Sequence, residues 1–133
     1  RKTKKINTTD ELKSLFSYIP AFKQNKFFAQ IFQAIRIEVN QELEVLKELL
    51  VQSYKVLKPE GRLVMISYHS LEDRLVKRFL KNGMFEGEPA RDIYGNYKKT
   101  FELLKTKAII PDDKEIEENS RARSAKMRIG TKL

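Results

Sequence analysis

The sequence predicts an α/β fold, and three observations predict it. A long amphipathic stretch over residues 26–57 is followed by the turn Lys58-Pro59-Glu60-Gly61 and then by the apolar run Leu63-Val64-Met65-Ile66. A second helical pattern starts directly after that run, at Ser70. Near the C-terminus, Ala125, Met127 and Ile129 alternate with Lys126 and Arg128, the period of a strand with one buried and one polar face. Helix, short turn, buried strand, short loop and helix make the repeating unit of a parallel α/β sheet.

Each element has a local reason. Residues 1–6 are basic and irregular. Thr8-Thr9-Asp10-Glu11 reads as a capping box, with Thr8 accepting the Glu11 N–H and Glu11 reaching back to Thr8. A short helix through Leu12, Leu15, Phe16 and Ile19 should end at Pro20. Over 26–57, Phe28, Ile31, Phe32, Ile35, Val39, Leu43, Leu46, Leu50 and Leu57 recur at helical spacing and form one apolar stripe. One helix of that length would be a rod of about 45–50 Å, so a bend or break near Asn40 is expected. The run 63–66 reads as a strand covered on both faces. Ser70 and Asp73 then read as a helix cap, with Leu71, Leu75, Val76 and Phe79 carrying the helix to Asn82 and Gly83 standing at its C-terminal end. Glycines and Pro89 punctuate a loop over 83–100. Residues 101–110 read as a strand, Pro111-Asp112-Asp113 as the start of a short acidic helix, 119–123 as a basic turn and 125–130 as the last strand.

The bulk chemistry narrows the function classes. The 133 residues suffice for one domain's worth of core at most, and 41% hydrophobic content is that of a globular chain. Lys and Arg total 27 against 18 acids, a formal charge of +9, which favours a polyanionic partner or else a solvated lysine-rich surface. The absence of cysteine excludes disulfides and thiolate metal sites and permits a cytoplasmic location. No apolar run approaches a membrane span, so no membrane partner is expected, and no metal site is indicated. Arg1 in place of an initiator methionine points to a chain that was trimmed, processed or taken from a longer protein.

Four blocks carry a resemblance. They are Phe32-Gln33-Ala34-Ile35-Arg36-Ile37-Glu38-Val39-Asn40-Gln41-Glu42-Leu43, Val56-Leu57-Lys58-Pro59-Glu60-Gly61-Arg62-Leu63, Ile66-Ser67-Tyr68-His69-Ser70-Leu71-Glu72-Asp73-Arg74-Leu75-Val76-Lys77, and 118–128 with Asn119-Ser120-Arg121-Ala122-Arg123-Ser124-Ala125-Lys126 at its heart. In this order they resemble the bacterial small-subunit (16S) ribosomal RNA cytosine-N4 methyltransferase family (RsmH/MraW). Two departures are visible, Glu60 for a glycine and Ser120 for a proline, both in turns and neither touching the chemistry.

The resemblance implies an enzyme that moves a methyl group from S-adenosyl-L-methionine to a cytidine N4 in the decoding region of 16S ribosomal RNA. Its partners would be that RNA and the small ribosomal subunit. It implies a Rossmann-like S-adenosylmethionine-dependent methyltransferase sheet with a helical insertion, of which this chain would be the C-terminal part. Residues 1–40 would be the remainder of the insertion, and 41–133 the distal half of the α/β domain. The last three strands would be the fifth (63–67), the sixth (101–110) and an antiparallel seventh (125–130). The family's donor motifs are a glycine-rich loop after the first strand, an acid after the second and an Asp-Leu-Gly-x-Ser-Ser-like segment after the fourth. None of them is here, and the five glycines at 61, 83, 87, 95 and 130 are scattered through turns and ends. No cofactor-binding residue is therefore expected in this chain, which should be inactive alone.

Candidate site residues follow. Tyr68 and His69 stand after the C-terminal end of a strand, where open α/β sheets place ligands, so they are candidates for the crevice that borders the target base. The alternative for His69 is a helix-start residue bonded to local backbone. Arg36 and Asn40 share one side of the long helix and are either RNA contacts or partners of Glu44 or Glu72. Arg74, Lys77, Arg78 and Lys81 form a basic helix face, and Arg121, Arg123 and Lys126 a basic turn, either of which can grip phosphates. Tyr94, Tyr97 and Phe101 interleave with Lys98 and Lys99, which suits base stacking or plain loop anchoring. Two other readings remain. One is a non-catalytic basic RNA-binding module. The other is an interaction fragment that self-associates through an uncovered sheet edge.

Overall fold

The computed structural model describes residues 5–133, so residues 1–4 of the basic opening segment lie outside the described residues. The chain divides into two compact units, residues 1–42 and 43–133.

The first unit holds two helices, α1 (Thr9–Ser14) and α2 (Ala21–Val39). Thr8 caps α1, its Oγ1 accepting the Glu11 N–H at 3.1 Å, while the Glu11 carboxylate accepts from Asn7 (2.8 Å) rather than from Thr8. α1 stops at Ser14, short of the proline. Pro20 instead precedes α2 as its N-cap, where a missing N–H costs nothing. Phe16 packs edge-on against Phe27 at 5.1 Å and near Phe28 at 6.4 Å, although no residue of α1 or α2 is fully buried. The expected long helix is two. α2 ends at Val39 with Asn40 as its C-cap, Gln41 turns left-handed with φ +53°, and α3 (Glu42–Val56) begins anew.

The second unit is α3, β1 (Arg62–Ser67), α4 (Ser70–Asn82), β2 (Phe101–Leu103), α5 (Asp113–Glu118), a 3-10 turn at Ser120–Ser124 and β3 (Lys126–Lys132). The strand order is β1-β3-β2 with both pairings antiparallel. β1 and β2 therefore run the same way but never touch, because β3 lies between them. Among the described residues the sheet has no parallel pair.

The core lies between α3, α4 and one sheet face. Leu50, Val76, Phe79, Leu80 and Phe101 are its buried members, with Leu63, Met65 and Leu103 packed against them. Phe101 meets Tyr54 and Phe79 at ring distances of 5.5 and 6.0 Å. Full burial of each such side chain contributes about 1.5–3 kcal/mol. Lys132 locks β3 to α3. Its Nζ donates to the Tyr54 and Leu57 carbonyls at 2.7 Å each, at the negative end of the helix, and sits 4.4 Å over the Tyr54 ring.

Three expectations are corrected here. The polar residues of β3 form its inward face. Arg128 and Gly130 are buried opposite Met65 and Leu63, while Met127 and Ile129 share the other face with Ile66 and Val64. Arg128 can be inside because Asp73 neutralises it, and Gly130 because Leu80 and Phe101 fill the space above it. Next, β1 is not covered on both faces: Val64 and Ile66 are 50% and 57% exposed. Finally, the strand expected over 101–110 is split. Continued pairing would set Thr106 opposite Met127, but Ile109 stands there, so the polar stretch around Lys105-Thr106-Lys107 is looped out.

Candidate nucleic-acid interface

The junction from β1 into α4 is built by one carboxylate. Glu72, in the first turn of α4, accepts the N–H of Tyr68 (3.1 Å) and of His69 (3.2 Å), forming a capping box with His69 at the N-cap. The cap is therefore His69 with Glu72, not Ser70 with Asp73. His69 is partly buried at the start of the helix, and the Tyr68 side chain beside it is exposed.

Asp73 is used elsewhere. Its two oxygens accept from Arg128 Nε (2.6 Å) and Nη2 (3.1 Å), the planar two-point match that guanidinium and carboxylate favour. A third Arg128 nitrogen, Nη1, reaches the carbonyl of Thr106 in the looped-out segment at 3.5 Å. Burial pushes the Asp73 carboxyl up, but the hydrogen bond and charge of Arg128, with Lys126 and Lys77 adding to them, hold it below the usual carboxylate range. The pair pins the first turn of α4 to the middle of the sheet, and so fixes the turn at Tyr68.

The register Ser67↔Lys126 brings the exit of β1 and the entry of β3 to one end of the sheet. Tyr68 and His69 leave from that end, and the turn carrying Arg121 and Arg123 arrives at it. Both arginines are exposed, and neither is ion-paired to the acidic helix α5 among the described residues. Asn119 shapes this turn by accepting the Arg121 N–H at 3.2 Å. Lys126 lies 3.8 Å from Asp73 and is partly neutralised by it. Arg74 is exposed on α4, and Lys77 lines a cleft beside β2. Arg36 and Asn40 belong to the first unit. Both bind Glu42, Arg36 through Nε at 2.8 Å and Asn40 through Nδ2 at 3.2 Å, an acid not among those expected for them. Tyr97 anchors its loop, donating from its hydroxyl to the Lys81 carbonyl at 3.2 Å with Arg91 over its ring. The Asp73–Arg128 pair was not foreseen. An arginine on an alternating strand and an acid in the first turn of α4, far apart in sequence, were the only signal for it.

A site for S-adenosylmethionine needs a strand-to-helix turn with free backbone N–H groups and glycines for close approach. The turn after β1 has side chains at 68 and 69, and both of its N–H groups are taken by Glu72. These residues do not fit the donor. Among the described residues no group of three or more His, Asp or Glu side chains could hold a metal ion, and no helix is long and apolar enough to cross a membrane.

The chain is 63% identical to ribosomal RNA small subunit methyltransferase H of Flavobacterium johnsoniae over 96% of its own length, which is 42% of that relative. It is 55% identical to the protein of the same name in Christiangramia forsetii, and 53% identical to that of Parabacteroides distasonis, in each case over 100% of this chain and 44% of the relative. The chain thus spans less than half the length of these curated relatives. The model of the MraW methylase family matches residues 1–133, from one end to the other, and the chain belongs to that family.

Proposed function

We propose that this chain is the distal, substrate-facing part of an S-adenosylmethionine-dependent methyltransferase acting in the cytoplasm on the N4 of a cytidine in the decoding region of 16S ribosomal RNA. The observation that carries the reading is the sheet. β1 and β2 run the same way with β3 antiparallel between them, and among the described residues β1 keeps an unpaired edge and a half-exposed apolar face. In a Rossmann-like methyltransferase β1, β3 and β2, in that spatial order, would be the fifth, seventh and sixth strands, and the remaining strands would continue from β1. The chain's first 40 residues would belong to a helical insertion on the substrate side. The names and identity of the relatives support the ribosomal RNA substrate.

The work of this segment is positioning. Arg74, Lys77, Arg121, Arg123 and Lys126, with Arg36 and Asn40 on the insertion, hold phosphate oxygens of the RNA. The turn at Tyr68 and His69 borders the extruded base and limits its rotation, which lowers the entropic part of the barrier. The donor is held by protein outside these residues.

The test uses the full-length protein, labelled S-adenosylmethionine and small subunits lacking the modification. Label should appear on a cytidine N4, and Arg121→Gln/Arg123→Gln should raise KM for the subunit about tenfold, from the loss of two phosphate contacts. Tight RNA binding with no transfer of label would instead favour a non-catalytic basic RNA-binding module.

A further inference from the structure

The second unit carries a basic cleft of which the strand-end site uses only Lys77. It encloses about 560 Å3 between α4 and the 97–107 segment, and its wall includes Lys77, Lys81, Lys99 and Lys107. Lys77 and Lys81 stand one turn apart on α4, Lys99 precedes β2, and Lys107 comes from the looped-out stretch. Against these four cations the only acid in the wall among the described residues is Glu102, a formal balance of +3. None of the four lysines is ion-paired among the described residues. Four like charges gathered from three chain segments repel one another, and a polyanion offsets that repulsion while releasing its own counterions.

The neighbouring loop is organised for display. The Asp92 side chain accepts the N–H groups of Tyr94 (2.9 Å) and Asn96 (2.8 Å), and the Asp92 N–H closes the loop on the Asn96 carbonyl at 2.8 Å. Ile93 and Tyr94 at its tip are 92% and 83% exposed. A loop tied this closely loses little freedom on binding, so its aromatic tip is suited to stacking. Tyr97 ties the same loop to the cleft wall through the Lys81 carbonyl.

We propose that this cleft is a second RNA-backbone site, gripping consecutive phosphates with Lys77, Lys81, Lys99 and Lys107, and that Tyr94 beside it stacks on an unpaired base. The proposal rests on the ribosomal RNA reading above and adds a contact surface to it. An open trough lined from three segments suits a run of phosphates, and the aromatic tip selects RNA over an acidic protein.

The test measures binding of the full-length protein to a 16S ribosomal RNA fragment across about 50–200 mM salt. Lys81→Gln/Lys99→Gln/Lys107→Gln should weaken binding at least tenfold and flatten the plot of log K against log salt by about 2, since each lost phosphate contact removes roughly 0.7–0.9. The corresponding triple arginine variant should keep the wild-type slope. Tyr94→Ala should weaken binding about tenfold with the slope unchanged, because stacking releases no counterions. If the triple glutamine variant binds as wild type while Arg121→Gln/Arg123→Gln weakens binding, the cleft is not on the RNA path and the proposal falls, with the RNA reading intact. An unaffected Tyr94→Ala variant overturns the stacking contact. If the unsubstituted protein binds no RNA, both readings fall together. All these positions are exposed, so thermal melts of the variants should match wild type.

Discussion

Glu60 holds φ at +65°, the left-handed region, in the turn between α3 and β1, with its N–H bonded to the Lys132 carbonyl at 2.9 Å. A side chain there is strained by about 1–2 kcal/mol, and glycine removes the strain at the cost of a floppier unfolded chain. Glu60→Gly should therefore stabilise the protein by about 0.5–1 kcal/mol, read as a higher urea midpoint with an unchanged slope. Position 60 is one where the sequence departs from the pattern of the family it resembles, and the backbone shows why glycine suits it. Asp73 is the opposite case, a residue whose partner cannot be removed cheaply. Asp73→Asn should cost about 3 kcal/mol, because it leaves the Arg128 guanidinium buried without a counter-charge. Asp73→Leu combined with Arg128→Met should recover most of that loss. The pH dependence has a definite sign. The folded carboxyl titrates below its unfolded value, so the pair stabilises fully above the ordinary aspartate value near ~3.9 and the contribution is lost as pH falls through the lower folded value. Urea unfolding in that acid range should show a shallower pH slope for the double variant than for wild type.

At the scale of elements, β3 depends on the missing side chain of Gly130. A Cβ there would lie 2.9 Å from Leu80 Cδ2 and 3.2 Å from the Phe101 Cβ, in a buried position where neither can withdraw. Gly130→Ala should cost about 1–3 kcal/mol by overpacking and shift β3 against α4, measurable as faster amide exchange along the strand. What was legible in the sequence divides along the same physical line. α4 could be read from its apolar spacing and from Gly83, which closes it with φ +72°, and α5 from Asp112, which accepts the Glu115 N–H. Such signals are local. The face of β3 that turns inward could not be read, because alternation gives a period of two and leaves the choice of face to partners distant in sequence. Arg128 and Gly130 won the inside only through Asp73, Leu80 and Phe101. The interruption of the second strand at Leu103 was hidden for a similar reason, since Arg128 reaches the Thr106 carbonyl of the looped-out stretch from across the sheet. The site divides likewise. The Tyr68-His69 turn lies within one short block, whereas the lysine cleft is assembled from residues 77–107 and appears only once the chain is folded.

Across the whole molecule, the sheet face away from α4 carries Val64, Ile66, Met127 and Ile129, and the outer edge of β1 is unpaired among the described residues. Beside this face, Ile66, Ile109, Pro111 and Met127 line a small hollow of about 110 Å3. Apolar strand faces with open edges pair with whatever strand is available. In the 133-residue chain by itself that strand is another copy, so its sedimentation should show concentration-dependent association. In the full-length protein the proposed neighbours are the rest of the methyltransferase sheet along this edge and the helices that such a sheet carries over this face. The same substitutions, Val64→Lys and Ile66→Lys, should then act with opposite sign in the two settings. In the isolated chain they place charge on an exposed surface, suppress association and leave the fold intact, because neither side chain faces the core of Leu50, Val76, Phe79 and Leu80. In the full-length protein they bury two ammonium groups without partners and should cost several kcal/mol, or prevent folding altogether. Equal tolerance in both settings would mean that this face is solvent-exposed in the complete protein, and the proposed packing of further methyltransferase helices over it would be wrong.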